Sequence, residues 1–313
     1  MNIKNIRTEI IKIPLKTPFI TALRKVEDVE FVRVSVECED AKISYGEAPS
    51  TKAITGEDLE SITKTIQKYK NLFFDESPQI SLEILDKLNI GSSAKSALNM
   101  AFYNLVSPMI YESNPKIKTA ITISLNEKQK MLADAFLAKQ SGLNILKLKF
   151  GDDILHAIDV SKAIKLLIPD SVILVDANQA WDIQKSKKFI DEMKEIDIEL
   201  LEQPLIANDI VGLEEISKYS HIPIVADEAC FTLIDVKKVV ESKSADIINI
   251  KLMKCGGITY AIEILEYCKS TNTPVMLGSM LEGPISINYA YWLVDKYMDV
   301  VKYVDLDSPL LYK

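Results

Sequence analysis

The chain has 313 residues, of which 48% are hydrophobic and 26% are charged, and its formal net charge is -8. This length exceeds one ordinary hydrophobic core and suits a large domain with a smaller companion. The acidic balance argues against nucleic acid or an anionic membrane as a partner, because both carry negative charge themselves.

Targeting segments and disulfides are not expected. Lys4 and Arg7 place charges in the N-terminus before an apolar run can form, so we expect no signal peptide. No stretch approaches the roughly 18 apolar residues of a membrane-spanning helix. The four cysteines are scattered without a C-x-x-C pair, which is typical of reduced thiols. These features predict a cytoplasmic location.

The first part of the chain shows strand-like runs followed by helical patterns, which is typical of an α+β domain. Ser92 or Ser93 is the expected cap of the second helix, where apolar residues recur at helical spacing. The predicted elements are strands at 3–13, 31–37 and 42–47 and helices at about 56–72 and 93–111.

Beyond Pro115, strand-like runs alternate strictly with helical patterns. The eight predicted strands are 120–125, 145–150, 172–178, 200–204, 222–228, 247–251, 275–280 and 303–307. This alternation predicts an α/β fold, a modified TIM barrel of the (β/α)7β type. An open doubly wound sheet is the alternative, although no G-x-G-x-x-G follows an early strand. We therefore divide the chain into an α+β domain at 1–114, completed by the tail 308–313, and a barrel at 115–307.

Charged residues recur where the predicted barrel strands end. Lys149, Asp176, Glu202, Asp227 and Lys251 follow one another at intervals of about one β/α unit. The C-terminal ends of barrel strands meet at one face, where TIM-barrel active sites lie. The sequence therefore brings these five side chains together.

Side-chain alternation predicts which way these charges point. Apolar residues such as Leu148 occupy one face of the second strand, so Lys147 and Lys149 point into the barrel. The same parity directs Asp305 and Asp307 inward on the last strand. A purely structural network of ion pairs is the alternative. Unpaired buried ions cost several kcal/mol each, which favours a functional site.

Asp176, Glu202 and Asp227 form a set of oxygen donors from consecutive strands. Oxygen ligands without thiolate or imidazole favour Mg²⁺, with Mn²⁺ as a substitute. We expect one ion per subunit. Only two histidines are present. His156 falls in a helical stretch and His221 in a loop just before a strand, away from the C-terminal strand ends, which argues against a histidine triad or a multi-histidine zinc site.

Lys149 and Lys251 end strands on opposite sides of an eight-strand ring, so an amine faces each side of a bound substrate. Lysine has an unperturbed pKa of about 10.4, and we expect neighbouring positive charge and desolvation to lower it. Two bases on opposite faces suit inversion of a stereocentre beside a carboxylate. The divalent cation would stabilise the enediolate that forms when the proton leaves.

Together these motifs resemble the muconate-lactonising-enzyme subgroup of the enolase superfamily, which combines a lysine base with Mg²⁺. The resemblance spans essentially the whole chain and implies that residues 1–114 cap the barrel. It implies Mg²⁺ at the three carboxylates and acid/base roles for the two lysines. It is carried by Lys147-x-Lys149, Asp176-Ala177-Asn178, Glu202-Gln203-Pro204, Asp227-Glu228 and Lys251 with Gly256-Gly257.

Two further features are similar to the dipeptide epimerases of that subgroup. The resemblance implies that Asp305 and Asp307 hold the α-ammonium of the substrate. It implies that Arg24, in a mobile loop at 18–24, binds a glutamate side chain. The remaining residues expected to contact substrate are Thr122, Lys147, Ser279 and Met280. The implied reaction interconverts L-Ala-D-Glu and L-Ala-L-Glu in cell-wall peptide recycling, and we also expect a homo-oligomer.

Three other functions stay open at this point. One is another enolase-superfamily reaction, namely N-acylamino acid racemisation, o-succinylbenzoate synthesis or cycloisomerisation, although such substrates lack the ammonium that the Asp pair would hold. Another is a Schiff-base lyase that uses Lys251. The third is a barrel that binds a metal without catalysis.

Overall fold

The structure, a computed structural model, describes residues 1–22 and 24–313; Leu23, within the predicted loop at 18–24, lies outside the described residues. The chain begins with a three-stranded antiparallel sheet in the order β1-β2-β3. Its strands are β1 (Ile3–Ile20), β2 (Lys25–Cys38) and β3 (Ile43–Pro49).

The first hairpin is longer than predicted. Strand β1 continues to Ile20 and β2 starts at Lys25, so residues 18–20 of the predicted loop at 18–24 are strand. Pairing between β1 and β2 shifts register between Pro14 and Phe19, where two prolines remove backbone donors. Because β1 is an edge strand, it tolerates these prolines and still extends toward the barrel.

Helices cover one side of this sheet. They are α1 (Lys52–Thr55), α2 (Leu59–Tyr69), the 3₁₀ turn Lys70–Phe73, α3 (Pro78–Lys87) and α4 (Ser92–Val106). The predicted helix at 56–72 is thus shorter, since Asp58 caps α2 with a capping box. Helix α3 was not predicted.

The expected serine cap of α4 is wrong. Gly91 stands at the cap position, and no side chain there accepts a hydrogen bond. Instead the carboxylate of Glu57 accepts from the backbone N–H groups of Ser93 at 2.7 Å and Ala94 at 3.1 Å. A carboxylate suits this place because a helix N-terminus carries partial positive charge and unpaired donors.

Eight parallel strands follow, with their neighbours in sequence order, so the doubly wound alternative is wrong. The strands are β4 (Ile121–Ile123), β5 (Ile145–Lys149), β6 (Val172–Asp176), β7 (Leu200–Glu202), β8 (Ile224–Ala226), β9 (Ile247–Lys251), β10 (Val275–Gly278) and β11 (Val301–Asp305). The helices are α5 (Lys128–Gln140), α6 (Ile154–Leu167), α7 (Ile183–Glu192), α8 (Ile210–Tyr219), α9 (Leu233–Ser242), α10 (Leu252–Cys255), α11 (Ile258–Ser270), α12 (Pro284–Lys296) and α13 (Ser308–Leu311). Among the described residues, none of the helices is both long and apolar enough to cross a bilayer.

The last and first barrel strands meet through a mixed seam of backbone and side-chain bonds. The N–H of Ala120 donates to the carbonyl of Val304 at 2.8 Å. The N–H of Leu306 donates to the hydroxyl of Thr119 at 2.8 Å. These contacts bring β11 beside β4 and close the ring, as the (β/α)7β prediction requires.

The inside of the ring has an apolar layer below a polar one. Inward positions early in the strands form a small apolar cluster that includes Leu174, Leu200 and Val225. Two residues further along the chain, the same face carries Asp176, Glu202 and, directly after β8, Asp227. The alternation of side chains along a strand thus turns an apolar floor into a charged upper layer.

Buried polar contacts dock the N-terminal domain onto the barrel. On β3, one oxygen of Glu47 pairs with Arg33 at 2.7 Å, and the other accepts from the N–H groups of Ile285 and Ser286 at the start of α12. On α4, the amide of Asn99 exchanges hydrogen bonds with Thr259 at the start of α11. At the tail, the N–H of Lys313 donates to Pro14 on β1.

Candidate active site

A cavity opens at the C-terminal ends of the barrel strands, beneath the hairpin of β1 and β2. It encloses about 590 Å³, including its opening to solvent. Barrel and N-terminal domain both contribute to its wall. The lining residues are Phe19, Thr21, Arg24, Thr51, Ala53, Ile54, Thr122, Lys149, Asn178, Lys251, Ser279, Met280, Leu281, Asp305 and Asp307.

The three predicted ligands lie side by side beneath this cavity, and Asp176 is the register partner of Glu202. Each carboxylate has one oxygen held by a fixed group on the chain. Asp176 Oδ1 accepts from the N–H of Asn178 at 2.8 Å, and Glu202 Oε1 accepts from the amide of Asn249 at 2.8 Å. Asp227 Oδ1 lies 2.6 Å from the ammonium of Lys254.

The second oxygen of each carboxylate faces one of the predicted lysines. Lys149 Nζ lies 2.5 Å from Asp176 Oδ2, and Lys251 Nζ lies 2.5 Å from Asp227 Oδ2. Lys147 Nζ lies 2.6 Å from Glu202 Oε2. Three carboxylate oxygens therefore point into the barrel, each against an ammonium group.

The lysines divide into one below the cavity and two on its walls. Lys147 is fully buried, also lies 2.7 Å from Asp305, and does not line the cavity. Lys149 on β5 and Lys251 on β9 do line it, four strands apart in the eight-strand sheet. The predicted inward direction of both wall lysines is confirmed by these contacts, while substrate binding by Lys147 stays a prediction.

The protein groups around Lys251 shift its pKa upward, whereas the expected lowering also counted on a bound divalent cation. Burial opposes its charge, but the neighbouring Asp227 carboxylate outweighs burial and raises the pKa of Lys251. The same balance holds for Asp227, where burial opposes ionisation but Lys251 and Lys254 outweigh burial and lower the pKa. The two groups therefore form an ion pair.

Negative charge exceeds positive charge in the polar layer. Six buried carboxylates on or directly after the strands, at 176, 202, 227, 228, 305 and 307, meet four buried lysines, at 147, 149, 251 and 254. Burial and then the charge of Asp176 raise the pKa of Glu202 to about 7. Burial and then the charge of Asp227 raise the pKa of Glu228 to about 8. A formal deficit of two positive charges matches one divalent cation.

The donor set fits a hard divalent cation, although lysine side chains lie between the carboxylates in this structure. Within residues 1–22 and 24–313, no three His, Cys, Asp or Glu side chains already surround an ion-sized gap, because lysines stand among the carboxylates. Glu202 Oε2 nevertheless receives no properly directed hydrogen bond, and neither oxygen of buried Glu228 has a hydrogen-bond partner. Such orphaned oxygens are costly unless a cation satisfies them.

The two predicted ammonium-binding carboxylates have different surroundings. Asp305 Oδ2 pairs with Lys147, while Oδ1 is buried without a hydrogen-bond partner. Asp307 Oδ2 accepts from the backbone N–H of Thr122 at 2.7 Å, and burial followed by the Asp305 charge raises the pKa of Asp307 to about 6. Both residues line the cavity, so this wall is acidic.

Arg24 places a cation on the wall formed by the N-terminal domain. Its guanidinium donates to the carbonyl of Ser50 at 3.0 Å, and burial lowers the pKa of Arg24. Across the described part of the chain, no carboxylate pairs with this guanidinium, so most of its donors remain available to a ligand. The cavity thus has acidic, basic and two amine-bearing walls.

Comparison with known proteins supports the resemblance. Residues 130–294 match the family model described as enolase C-terminal domain-like. An L-amino acid-D/L-Glu epimerase from Sulfurimonas denitrificans is 51% identical over 323 aligned positions, covering 100% of this chain and 95% of the relative. The chain belongs to the enolase superfamily.

Solved structures place this enolase-superfamily member among the dipeptide epimerases. A substrate-liganded L-Ala-D/L-Glu epimerase from Bacillus subtilis aligns with a TM-score of 0.94 and 33% identity, covering 100% of this chain and 92% of that one. A dipeptide epimerase from Enterococcus faecalis V583, complexed with Mg and L-Leu-L-Tyr, aligns with a TM-score of 0.93 and 30% identity over 100% and 92% of the two chains. The chain is accordingly an enzyme, an isomerase of the epimerase class.

Sequence reasoning missed several residues that support this epimerase site. Lys254 and Asn249 hold Asp227 and Glu202, as described above. Gln203 accepts from the N–H groups of Asp227 and Ala229, tying β7 to the end of β8. The signal available in the sequence was their position, since Gln203 follows Glu202 directly and Asn249 and Lys254 lie within three residues of Lys251. For Thr51, Ala53 and Ile54, which reach the cavity from α1 and its N-terminal side, no pattern in the sequence gave a signal.

Because one carboxyl is buried behind the cavity wall, we expect the free energy of unfolding of this enolase-superfamily member to depend on pH. Glu282 is 1% exposed, accepts from the N–H of Met280, and has its pKa raised by burial to about 7. Since the folded pKa exceeds the unfolded value, its contribution to stability is present below about pH 4.5 and is lost as pH rises through 7. We expect Glu282→Gln to remove a decline of up to about 3 kcal/mol between pH 5 and 8.

Urea unfolding at pH 5 and pH 8 measures this decline, because other titrating groups contribute equally to wild type and variant and cancel in the difference. Glu263→Gln, at an exposed position on α11, is the matched control and should retain the wild-type pH dependence. Equal pH dependence in wild type and Glu282→Gln would contradict the buried-carboxyl account.

Proposed function

We propose that the chain is a Mg²⁺-dependent epimerase that interconverts L-Ala-D-Glu and L-Ala-L-Glu at the α-carbon of the C-terminal residue. The observation that carries this proposal is the placement of Lys149 and Lys251 on opposite walls of one cavity. The wall between them carries Asp305 and Asp307, and Arg24 lies on the wall from the N-terminal domain. In a bound dipeptide the two amines would face the α-proton, the Asp pair would face the ammonium, and the guanidinium would face the side-chain carboxylate.

Asp176, Glu202 and Asp227 would hold one Mg²⁺, with Mn²⁺ as a substitute. Support comes from the charge deficit of the polar layer and from the all-oxygen donor set. Dipeptide epimerases from Enterococcus faecalis and Cytophaga hutchinsonii have been solved with Mg and a dipeptide. When bound, the ion neutralises negative charge that develops on the substrate carboxylate as the α-proton leaves.

The two wall lysines carry the proton. In one direction the amine of Lys149 takes the α-proton from one face, and the ammonium of Lys251 delivers a proton to the opposite face. In the other direction the roles reverse. Lys251 is suited to hold a proton, because its pair with Asp227 favours the charged form. Transfer on opposite faces of one carbon inverts its configuration, as epimerisation requires.

The acidic and basic walls set the chemistry of the substrate. Asp305 offers the unpartnered Oδ1, which with Asp307 would bind the dipeptide's α-ammonium by charge-assisted hydrogen bonds. The guanidinium of Arg24 would bind the C-terminal side-chain carboxylate in the same way. We further propose a homo-oligomer that acts in the cytoplasm in recycling of cell-wall peptides, a setting that rests on resemblance alone.

The proposal is tested by incubating the wild-type protein in D2O with Mg²⁺ and a panel of dipeptides, followed by mass spectrometry. We expect one deuterium at the C-terminal α-carbon of L-Ala-L-Glu and L-Ala-D-Glu. N-acetylated L-Ala-L-Glu is the matched probe and should react far less, because it lacks the ammonium. Equal exchange with the acetylated probe would favour an N-acylamino acid racemase, and no exchange with any probe would favour a non-catalytic barrel.

Assaying Arg24→Met with dipeptides tests whether this residue binds the C-terminal side-chain carboxylate. Losing a buried charged hydrogen bond of about 1.5–3 kcal/mol should reduce kcat/KM for L-Ala-L-Glu by about 10- to 100-fold. Its kcat/KM for L-Ala-L-Met should change little, because that side chain has no charge. Arg7→Met, on the outer face of β1, controls for general loss of a cation. Unchanged discrimination in Arg24→Met would assign specificity to another residue.

A further inference from the structure

Lys254 is a buried cation to which the proposed reaction assigns no role. Its side chain is 1% exposed and lies in the short helix α10, directly after Lys251 and β9. Its ammonium donates to the carbonyls of Asp227 and Asn249, the second at 2.9 Å. The same ammonium lies 2.6 Å from Asp227 Oδ1. Two backbone hydrogen bonds therefore fix the ammonium at the ends of β8 and β9, in ion-pair contact with Asp227 Oδ1.

Lys251 contacts the same carboxylate in a different way. Its ammonium lies 2.5 Å from Asp227 Oδ2, and within the described residues this is its one hydrogen-bond partner. Two backbone carbonyls anchor Lys254, whereas no backbone group of the described residues anchors Lys251. An arriving cation can consequently displace Lys251 from Oδ2, while Lys254 stays fixed against Oδ1.

Asp227 is thereby left with one oxygen for a metal ion. We propose that Lys254 is a positioning residue that keeps Asp227 monodentate and so makes the site select Mg²⁺ over Ca²⁺. Mg²⁺ requires a compact octahedral set of ligands at 2.0–2.1 Å, whereas Ca²⁺ accepts six to eight oxygens and often takes both oxygens of one carboxylate. The inference rests on the proposed metal site and goes beyond it by assigning its selectivity.

Calorimetric titration with Mg²⁺ or Ca²⁺ alone, without dipeptide, tests the inference. The readout is the ratio of the Ca²⁺ to the Mg²⁺ dissociation constant, because the two ions have equal charge and general electrostatic effects cancel. Lys254→Met keeps a long side chain but removes the ammonium. We expect the ratio to fall by about 10-fold, the lower end of the effect of losing a group that orients a ligand.

Lys251→Met is the matched control, because it removes the same charge from the other oxygen of Asp227. It should leave the ratio close to that of wild type, because Lys254 still holds Oδ1. An unchanged ratio in Lys254→Met, or an equal fall in Lys251→Met, would overturn the inference. Far-UV circular dichroism verifies that each variant is folded.

A crystal structure of wild-type protein with Mg²⁺ gives a second test that needs no variant. We expect one oxygen of Asp227 on the ion and the other against Lys254; a bidentate Asp227 would overturn the inference. Failure of the proposed reaction is distinguishable from failure here. Wild-type protein that binds Mg²⁺ in preference to Ca²⁺ without exchanging dipeptide protons would refute the reaction alone, and absence of any ion binding would refute both.

Discussion

Lys149→Ala and Lys251→Ala should each abolish epimerisation, with a loss in kcat of at least about 10³-fold, in the range that general acid–base catalysis contributes. Each substitution removes the group that moves the proton on one face of the α-carbon. The other ionisable side chains among the described lining residues, Arg24, Asp305 and Asp307, are assigned to substrate binding. Chiral chromatography of L-Ala-L-Glu and L-Ala-D-Glu after incubation measures the loss.

Deuterium exchange separates the two lysines. The remaining lysine can still take and return a proton on its own face, so each variant should exchange the α-proton of one epimer without inverting it. Lys162→Ala, at a half-exposed ion pair on α6, is the control and should keep full activity. Full epimerisation by either active-site variant would refute the scheme with two bases.

Removal of divalent cations should abolish turnover as completely as either lysine substitution does. Dialysis against EDTA is expected to lower the rate by at least about 10³-fold, since nothing then offsets the charge that develops on the substrate carboxylate. Mg²⁺ should restore the rate, and Mn²⁺ should substitute. Because the ion binds the folded chain, Mg²⁺ at about 100 times its Kd should also add about 2.7 kcal/mol to the free energy of unfolding.

Two controls make the chelation experiment decisive. EDTA with an excess of Mg²⁺ should leave activity intact, which excludes a direct effect of the chelator. Glu202→Gln weakens one proposed ligand, so it should raise the Mg²⁺ concentration needed for half activity. Turnover that persists after dialysis, together with borohydride trapping of a carbonyl substrate on Lys251, would instead support the Schiff-base lyase.

The barrel and its charged centre could be predicted because their determinants are local. Alternation along the chain assigns Lys149 to the inside of β5 as soon as Leu148 is assigned to the outside. The interval between Asp176, Glu202 and Asp227 reports one β/α unit each, whatever the helices between them contain. Such periodicities require no knowledge of distant contacts.

The remaining features depend on contacts between residues far apart in sequence. Glu57 caps α4 although it precedes its partner Ser93 by 36 positions, so the local pattern at Ser92 and Ser93 was misleading. The pKa of Lys251 depends on Asp227, which belongs to another strand. Lys254 resembles any helical lysine until its partners at the ends of β8 and β9 are known.

Asp307 has two tasks that cannot be altered separately. Its Oδ2 joins the start of the barrel to its end through the N–H of Thr122, while the residue also faces the cavity. A substitution that changes what this wall accepts would loosen the ring at its seam as well. Arg24, which makes one side-chain bond to Ser50, is free of such a constraint. Redesign toward new dipeptides is therefore easier at the C-terminal side chain of the substrate, which Arg24 would bind, than at its ammonium group.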